Sequence, residues 1–299
     1  MFDVEHTIHD SDQLKHIILP ERFPDSRLTP RLPQELTDLI IGHLTPDDTD
    51  TLAACALVGR NFLSSSRALL FHTITLTTPG VKFHQLVASP YCSLASRVRC
   101  LQLVMNRPRF MDLSSLLAFL RSVSSLSIDT VCQGLAIHIP ILRPSPALAL
   151  ITVIKLRGTR FQSFNNLATF LCSFPTLQTI TLMCLTWEGV LPQNSNLTLA
   201  KSLDTIHIFS NSGSIFEWIL STPSPLSRLT TLIVGDVSGN DALTLYKFIT
   251  VTGITLRHLS VGFQSDEQEA EDLICTHPDL ERIPQLRITR RRGISIMKV

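Results

Sequence analysis

One short aliphatic pattern recurs along the sequence at nearly constant intervals, and this repeat constrains the fold more than any other feature. The pattern is aliphatic-x-x-aliphatic-x-aliphatic, with an aromatic residue allowed at its first position. Its matches begin at Phe71, Val98, Val123, Ile151, Leu177, Leu203, Leu229, Leu256 and Ile283. The intervals are therefore 27, 25, 28, 26, 26, 26, 27 and 27 residues. Matches outside this phase also occur, so the regular spacing, rather than their number, indicates internal repeats.

Each repeat combines the period of a strand with the period of a helix. The last two aliphatic residues alternate with another residue, as in a short strand with one buried face. Helical spacing follows between the strands and is clearest at Leu113, Leu116, Leu117, Leu120 and at Phe164, Leu167, Ala168, Leu171. One such unit cannot bury its own apolar face, whereas stacked units can. The sequence therefore predicts an α/β fold, a solenoid of parallel strands with helices outside.

Composition excludes several classes of protein. Hydrophobic residues make up 44% of the 299 residues and charged residues only 17%, which argues against intrinsic disorder. A formal net charge of +1 gives no field that would attract nucleic acid or a membrane surface. The acidic N-terminal stretch lacks the pattern of a secretory signal, and no long uninterrupted apolar run is present. We therefore expect a protein of the cytoplasm, the nucleus or both, with no membrane or nucleic-acid partner.

Signals of enzyme and metal chemistry are absent from the sequence. There is no GxSxG, GxxxxGK, GxGxxG or HExxH motif. His6, His9 and His16 lie near two aspartates, but their spacing fits no helical face well, so solvated side chains are expected rather than a metal site. The cysteines are scattered and form no CxxC pair, so we expect reduced thiols, with a Cys92–Cys100 pair as the alternative. We predict no catalytic residue, no metal and no cofactor.

Residues 31–63, ahead of the repeats, predict short helices. Pro33 and Glu35 suit a first helical turn. A second start follows Pro46, and Gly59 can end that helix. A third amphipathic stretch runs from Arg60 to Leu70. Three such helices are close to the lower size limit for independent stability, so this unit is expected to lean on the first repeat or on a partner.

This stretch resembles the F-box. The family pattern is Leu-Pro-x-Glu-aliphatic, then an aliphatic helix, then Leu-x-x-aliphatic-x-Leu-Val-Cys-Arg-x-Trp. The matching residues are Leu32, Pro33, Glu35, Leu36, Ile40, Leu44, Leu52, Leu57, Val58 and Arg60. Gly59 stands where Cys is usual, and Phe62 stands where Trp is usual.

The segment that follows resembles the leucine-rich repeats of ribonuclease-inhibitor-like proteins. That family usually places Asn or Cys shortly after the strand. Here Asn106 and Asn211 occupy this position, but other residues stand there in the remaining repeats, so the repeats are degenerate. An F-box followed directly by such repeats resembles the F-box/LRR proteins, which are substrate receptors of SCF cullin–RING ubiquitin ligases. The resemblance implies a tail over 1–28, an F-box over 29–70, a leucine-rich-repeat solenoid over 71–288 and a basic tail over 289–299.

The resemblance also implies partners. The F-box would dock on a Skp-type adaptor and through it on a cullin, and the repeats would bind an unknown protein substrate, with the chain a monomer within the complex. The candidate adaptor-binding residues are Leu32, Pro33, Leu36, Ile40, Leu44, Leu57, Val58, Phe62 and Leu63. The alternative is that about half of them only close the helical core, and the sequence does not separate the two sets. The alternative function is a non-catalytic leucine-rich-repeat scaffold whose F-box-like head takes no part in ubiquitination.

Side chains that flank the buried strand positions are expected on the concave face of the solenoid. The candidate substrate-binding residues are Lys155, Arg157, Met183, His207 and Phe209, on three successive strands. An Arg beside exposed Phe and Met is typical of a binding hot spot. The alternative is that Arg157 pairs with Asp129 on the neighbouring strand and that a shift of register buries Phe209.

The C-terminal arginines have three interpretations. Arg287, Arg290, Arg291 and Arg292 could guard the open edge of the last strand, could form a nuclear-import or nucleic-acid patch, or could belong to a disordered tail.

Overall fold

A parallel sheet with helices between its strands forms the framework of the protein. The computed structural model describes residues 32–77, 81–105, 113–130, 146–189, 197–222, 226–264 and 268–290. The strands within these ranges are β1 (Thr73–Leu76), β2 (Cys100–Met105), β3 (Ser125–Thr130), β4 (Val153–Arg157), β5 (Arg160–Phe161), β6 (Thr179–Met183), β7 (Thr186–Trp187), β8 (Thr205–Phe209), β9 (Thr231–Val237), β10 (His258–Phe263) and β11 (Gln285–Arg290).

The helices lie before the first strand and between successive strands. They are α1 (Gln34–Gly42), α2 (Thr49–Val58), α3 (Arg60–Leu70), α4 (Val81–Ala88), α5 (Leu113–Phe119), α6 (Phe164–Cys172), α7 (Ser212–Ser221), α8 (Gly239–Thr252) and α9 (Gln268–Cys275). Two short 3-10 turns cover Leu148–Leu150 and Pro278–Arg282. The three helices predicted ahead of the repeats are therefore present, and Gly59 separates α2 from α3.

Strand order in the main sheet follows the chain. Its order is β1-β2-β3-β4-β6-β8-β9-β10-β11, and every neighbouring pair is parallel. The short β5 and β7 pair separately, also in parallel. The nine strands of the main sheet lie at the nine positions that the repeat predicts, so the predicted α/β class with parallel strands is confirmed.

Two rows of aliphatic side chains, each crossing the sheet from strand to strand, form its buried face. From β2 to β10 every one of these side chains is at most 2% exposed: Leu101, Leu126, Ile154, Ile180, Ile206, Leu232 and Leu259 in one row, and Leu103, Ile128, Leu156, Leu182, Ile208, Val234 and Val261 in the other. Strand pairing aligns the members of each row directly, for example Ile180 with Ile206. The alternation seen in the sequence therefore reflects one buried face, as predicted.

Helices cover this face with their own apolar stripes. The predicted stripes on α5 and α6 are buried. Ser163 begins α6 by accepting a hydrogen bond from the backbone N–H of Asn166 at 3.2 Å. In α6, the ring of Phe164 lies 5.1 Å from Trp187 and 5.5 Å from Trp218, so it joins successive repeats through edge-to-face contacts.

Tight turns follow the central strands and use left-handed backbone. Gly158, Cys184, Ser210 and Asp236 have φ values of 62°, 51°, 89° and 56°, and they follow one another at intervals of 26 residues. At the position where the leucine-rich-repeat family favours Asn or Cys, the side chains of Thr159, Leu185 and Val237 are buried. Asn211 and Gln264 are the described exceptions, because their side-chain amides donate to the Leu185 carbonyl at 2.7 Å and to the Asp236 carbonyl at 3.4 Å. Packing therefore replaces most of the expected hydrogen bonds after the strands.

The last described strand differs from the predicted boundary. β11 pairs with β10 through Arg290 and so extends past 289, where the sequence predicts the basic tail to begin. The predicted tail over 1–28 and residues 291–299 of the predicted basic tail lie outside the described residues, as do His6, His9, His16, Asn106, Arg291 and Arg292. In the described part of the chain, no helix combines the length and the apolar character needed to cross a membrane.

The turn after β4 generates a prediction on stability. A Cβ on Gly158 would lie 2.5 Å from the Thr130 carbonyl oxygen, and φ there is positive. We expect Gly158→Ala to lower the free energy of unfolding by about 1–2 kcal/mol from backbone strain, with a further cost from the clash. Cys184→Gly, at the equivalent turn, should be neutral or stabilising. Urea denaturation checks both, and equal effects of the two substitutions would contradict this explanation.

Candidate interaction surfaces

The head, which comprises α1 to α3 over residues 32–70, holds α1 in one orientation through its polar side. Nε2 of Gln34 donates to Oδ1 of Asp38 at 2.8 Å and to the Asn61 carbonyl at 2.9 Å. Ser65 of α3 also donates to Asp38. The hydrogen bonds that the Asp38 carboxylate accepts from Ser65 and, with a smaller effect, from Gln34 hold the pKa of Asp38 below its ordinary value. The polar side of α1 therefore faces α3.

This orientation buries a small set of head residues. Thr37 and Ile41 of α1, Leu52 of α2 and Ser66 of α3 are buried. Leu44, Phe62 and Leu63, three of the candidate adaptor-binding residues, are partly buried. They therefore belong at least in part to the interior of the head, as the alternative interpretation of the sequence allowed.

The other candidates in the head are exposed and apolar. We call them the head surface, adding Leu39: it comprises Leu32, Pro33, Leu36, Leu39, Ile40, Leu57 and Val58. Leu36 and Ile40 are 47% and 50% exposed, and Leu57 is 88% exposed. The hydrogen bond from Gln34 to Asn61 brings the first turn of α1 to the α2–α3 junction, next to which Leu57 and Val58 lie. Exposed apolar groups concentrated in this way mark interaction sites.

Sequence reasoning missed Leu39, which is 59% exposed. Its spacing of three residues from Leu36 places both on one side of α1 and could have identified it.

The head is joined closely to the first strands. α3 ends at Leu70 and β1 begins at Thr73. The Arg97 guanidinium donates to the Ser64 carbonyl at 2.8 Å, and the His72 carbonyl accepts from the backbone N–H groups of Arg99 and Cys100. The head therefore continues directly into the sheet.

The second candidate site lies on the face of the sheet opposite the buried rows. We call Lys155, Arg157, Met183, His207 and Phe209 the strand-face patch. Strand pairing aligns Lys155 with Thr181 and His207, and Arg157 with Met183 and Phe209. All five predicted residues are thus brought together on three neighbouring strands, with both cations exposed and the other three partly buried.

The structure tests both parts of the alternative interpretation of this patch, the pairing of Arg157 with Asp129 and the burial of Phe209 by a register shift. Arg157 does pair with Asp129, with Nη1 3.8 Å from Oδ2, and the Arg157 side chain remains 65% exposed. The predicted register shift at Phe209 is wrong, because β6, β8 and β9 pair there without one. Phe209 is half-buried for another reason: its ring lies over Gly235, where an added Cβ would be 2.5 Å from Cδ1.

Cationic neighbours influence the imidazole in this patch. Burial, followed by the positive charges of Lys155 and His258, holds the pKa of His207 below its ordinary value. His207 is therefore mainly neutral at pH 7. Its Nδ1 lies 3.4 Å from the Thr181 hydroxyl.

Other polar groups do not assemble into a reactive centre among the described residues. No cluster of three or more His, Cys, Asp or Glu side chains in these ranges could hold a metal ion. Cys92 and Cys100 are both free thiols, so the alternative of a disulfide between them is wrong. Burial raises the pKa of Cys172 to about 12, which keeps this thiol protonated and unreactive at neutral pH.

Comparison with known proteins adds no assignment. No protein-family model matches the chain, and no curated protein matches it either.

The electrostatics of the strand-face patch generate a prediction. Removing the nearby positive charge with Lys155→Ala should raise the pKa of His207 towards its ordinary value, because a cation disfavours protonation of its neighbour. An NMR titration of the imidazole resonances checks this, with His207→Gln used for assignment. Lys247→Ala, an exposed substitution on α8, is the matched control. An unchanged His207 titration in Lys155→Ala would contradict the assigned cause.

Proposed function

We propose that this protein is an F-box/leucine-rich-repeat substrate receptor of an SCF cullin–RING ubiquitin ligase. The observation that carries the proposal is the head surface. Complete burial of a Leu, Ile or Val side chain is worth about 1.5–3 kcal/mol, and the isolated head leaves several such side chains in water. A partner with an apolar groove, such as a Skp-type adaptor, would recover part of this free energy.

The position of the exposed residues supports specific binding to an adaptor rather than non-specific hydrophobic association. Leu36, Leu39 and Ile40 are spaced by three and four residues within α1, so they form one exposed stripe along it. The opposite side of α1 is tied to α3 by Gln34 and Asp38. The stripe is therefore presented by a fixed helix, which lowers the entropic cost of docking.

The repeats support the receptor part of the proposal. Strands in chain order, all parallel, with a helix or a turn between successive strands, are what a leucine-rich-repeat solenoid requires. We infer that the sheet curves into such a solenoid and that the strand-face patch lies on its concave side and contacts the substrate. The head would bind the adaptor and, through it, the cullin.

In this role the protein performs no bond chemistry of its own. The short connection from α3 to β1 and the hydrogen bond from Arg97 to Ser64 hold the repeats next to the head. A substrate bound to the repeats would thus be held close to the ubiquitin-charged enzyme of the ligase. The contribution to the rate is proximity, which raises the effective concentration of the reacting groups.

Adaptor binding tests the proposal. We expect the parent protein to bind a purified Skp-type adaptor, and the double variant Leu36→Asp/Ile40→Asp to bind about 100-fold more weakly or not at all, since two charges would enter an apolar interface. Isothermal titration calorimetry measures both affinities. Because both positions are half exposed, the variant should keep the circular dichroism spectrum of the parent.

A matched control separates a specific surface from general hydrophobicity. Leu243 and Ile254 are 53% and 84% exposed at the β9–β10 connection, remote from the head. Leu243→Asp/Ile254→Asp should leave adaptor binding unchanged. If the folded parent does not bind the adaptor, the receptor proposal fails and a repeat scaffold with an F-box-like head is left.

A further inference from the structure

Two rows of side chains cross the exposed face of the sheet from β1 to β11. They include cations and hydroxyl groups, and neither row contains a carboxylate. Strand pairing aligns the first row as Thr73, Cys100, Ser125, Val153, Thr179, Thr205, Thr231, His258 and Gln285. It aligns the second as Thr75, Gln102, Ser127, Lys155, Thr181, His207, Ile233, Ser260 and Arg287. The net charge of the whole chain is only +1, so this arrangement is a local excess of positive charge.

Arg157, at the carboxyl end of β4, strengthens the positive charge beside Lys155. Its described anionic neighbour is Asp129, and 3.8 Å between the charged atoms is a long ion pair. Such an exposed pair is worth about 0–1 kcal/mol. With 65% of its side chain exposed, the guanidinium keeps donors available for a second carboxylate.

An apolar platform lies beside these cations. Met183 and Phe209 are paired on β6 and β8, and Ile233 is paired with His207. The missing side chain at Gly235 allows the Phe209 ring to lie across β9. Met183, Phe209 and Ile233 are only partly buried, so the platform leaves apolar surface accessible to a ligand.

We propose that this face binds an extended acidic peptide segment, with a carboxylate on Lys155 and Arg157 and a bulky apolar side chain on Met183, Phe209 and Ile233. Charge complementarity decides the occupant, because both cations are exposed, the two rows above carry no carboxylate, and Asp129, the carboxylate in the row of Arg157, is already paired with it. This rests on the proposed function, since it names the class of substrate segment that the repeats would capture.

The spacing of the two subsites fixes the spacing within the peptide. Neighbouring strands are about 4.8 Å apart, so Arg157 and Phe209, two strands apart, are separated by about 10 Å. A peptide that crosses the strands in the extended polyproline II conformation advances about 3.1 Å per residue and returns its side chains to the same face every three residues. The acidic and the apolar residue should therefore be about three positions apart.

Fluorescence anisotropy with defined peptides tests this inference on the full chain. The probe is a labelled Gly/Ser peptide with the core Glu-Glu-Ser-Ser-Phe, and its controls carry Gln-Gln in place of Glu-Glu, or Ser in place of Phe. The parent should bind the probe about fivefold or more tightly than either control, as expected for one or two charge contacts and one partly buried ring. Added salt should weaken binding of the probe.

Protein variants localise the interaction. Lys155→Ala/Arg157→Ala should weaken binding of the probe about fivefold and reduce the preference for Glu over Gln. Lys82→Ala/Lys247→Ala removes the same charge from exposed positions on α4 and α8 and should bind like the parent. Gly235→Ala, which displaces the Phe209 ring, should reduce the preference for Phe over Ser.

Three results would overturn the inference: no binding of the probe by the folded parent, equal binding of the Gln control, or equal affinity of the two double variants. Leu36→Asp/Ile40→Asp should bind the probe like the parent, because the head surface is not part of this site. If the parent binds the probe but does not bind the adaptor, the ubiquitin-ligase role is refuted and the peptide site is not.

Discussion

Alignment of aliphatic side chains across parallel strands is the constraint on which the rest of the structure depends. Each inward side chain on a central strand lies between its equivalents on the neighbouring strands and belongs to one continuous buried core with the helices, so burial is shared between repeats. The described strands show this effect: Leu259 on β10, which has described strands on both sides, is fully buried, whereas its equivalent Leu286 on β11, which has one described neighbouring strand, is 41% exposed. The intervals near 26 residues follow from this requirement, because each unit must return a strand to the same register.

The head buries much less apolar surface than the repeats do. Its buried centre is small and includes the polar residues Thr37 and Ser66, so little apolar surface is removed from water inside it. Hydrogen bonds from Gln34 and Ser65 instead fix α1 and direct Leu36 and Ile40 outwards. The orientation of α1 is thus fixed by polar contacts while apolar side chains of the head stay exposed. This arrangement is expected of a unit completed by a partner.

The strand positions could be predicted from the sequence because the repeat fixes phase, face and direction together. The division of the head into interior and surface could not be predicted, because every residue of α2 from Leu52 to Val58 is apolar. Leu52 is buried and Leu57 is exposed although both are leucines of one helix. On the strand face, alignment of Lys155 with His207 follows from the repeat, and so does the Asp129–Arg157 pair. The packing of Phe209 over Gly235 depends on a side-chain rotamer, which periodicity does not specify.

Assembly with a cullin is the most direct test of the receptor role. Purified protein, Skp-type adaptor and cullin would be mixed and analysed by sedimentation velocity, with Leu36→Asp/Ile40→Asp in parallel. We predict that the parent sediments with adaptor and cullin as one larger complex, while the variant leaves the adaptor–cullin complex at its own sedimentation coefficient. A folded parent that sediments apart from adaptor and cullin at the same concentrations would contradict the role in ubiquitination.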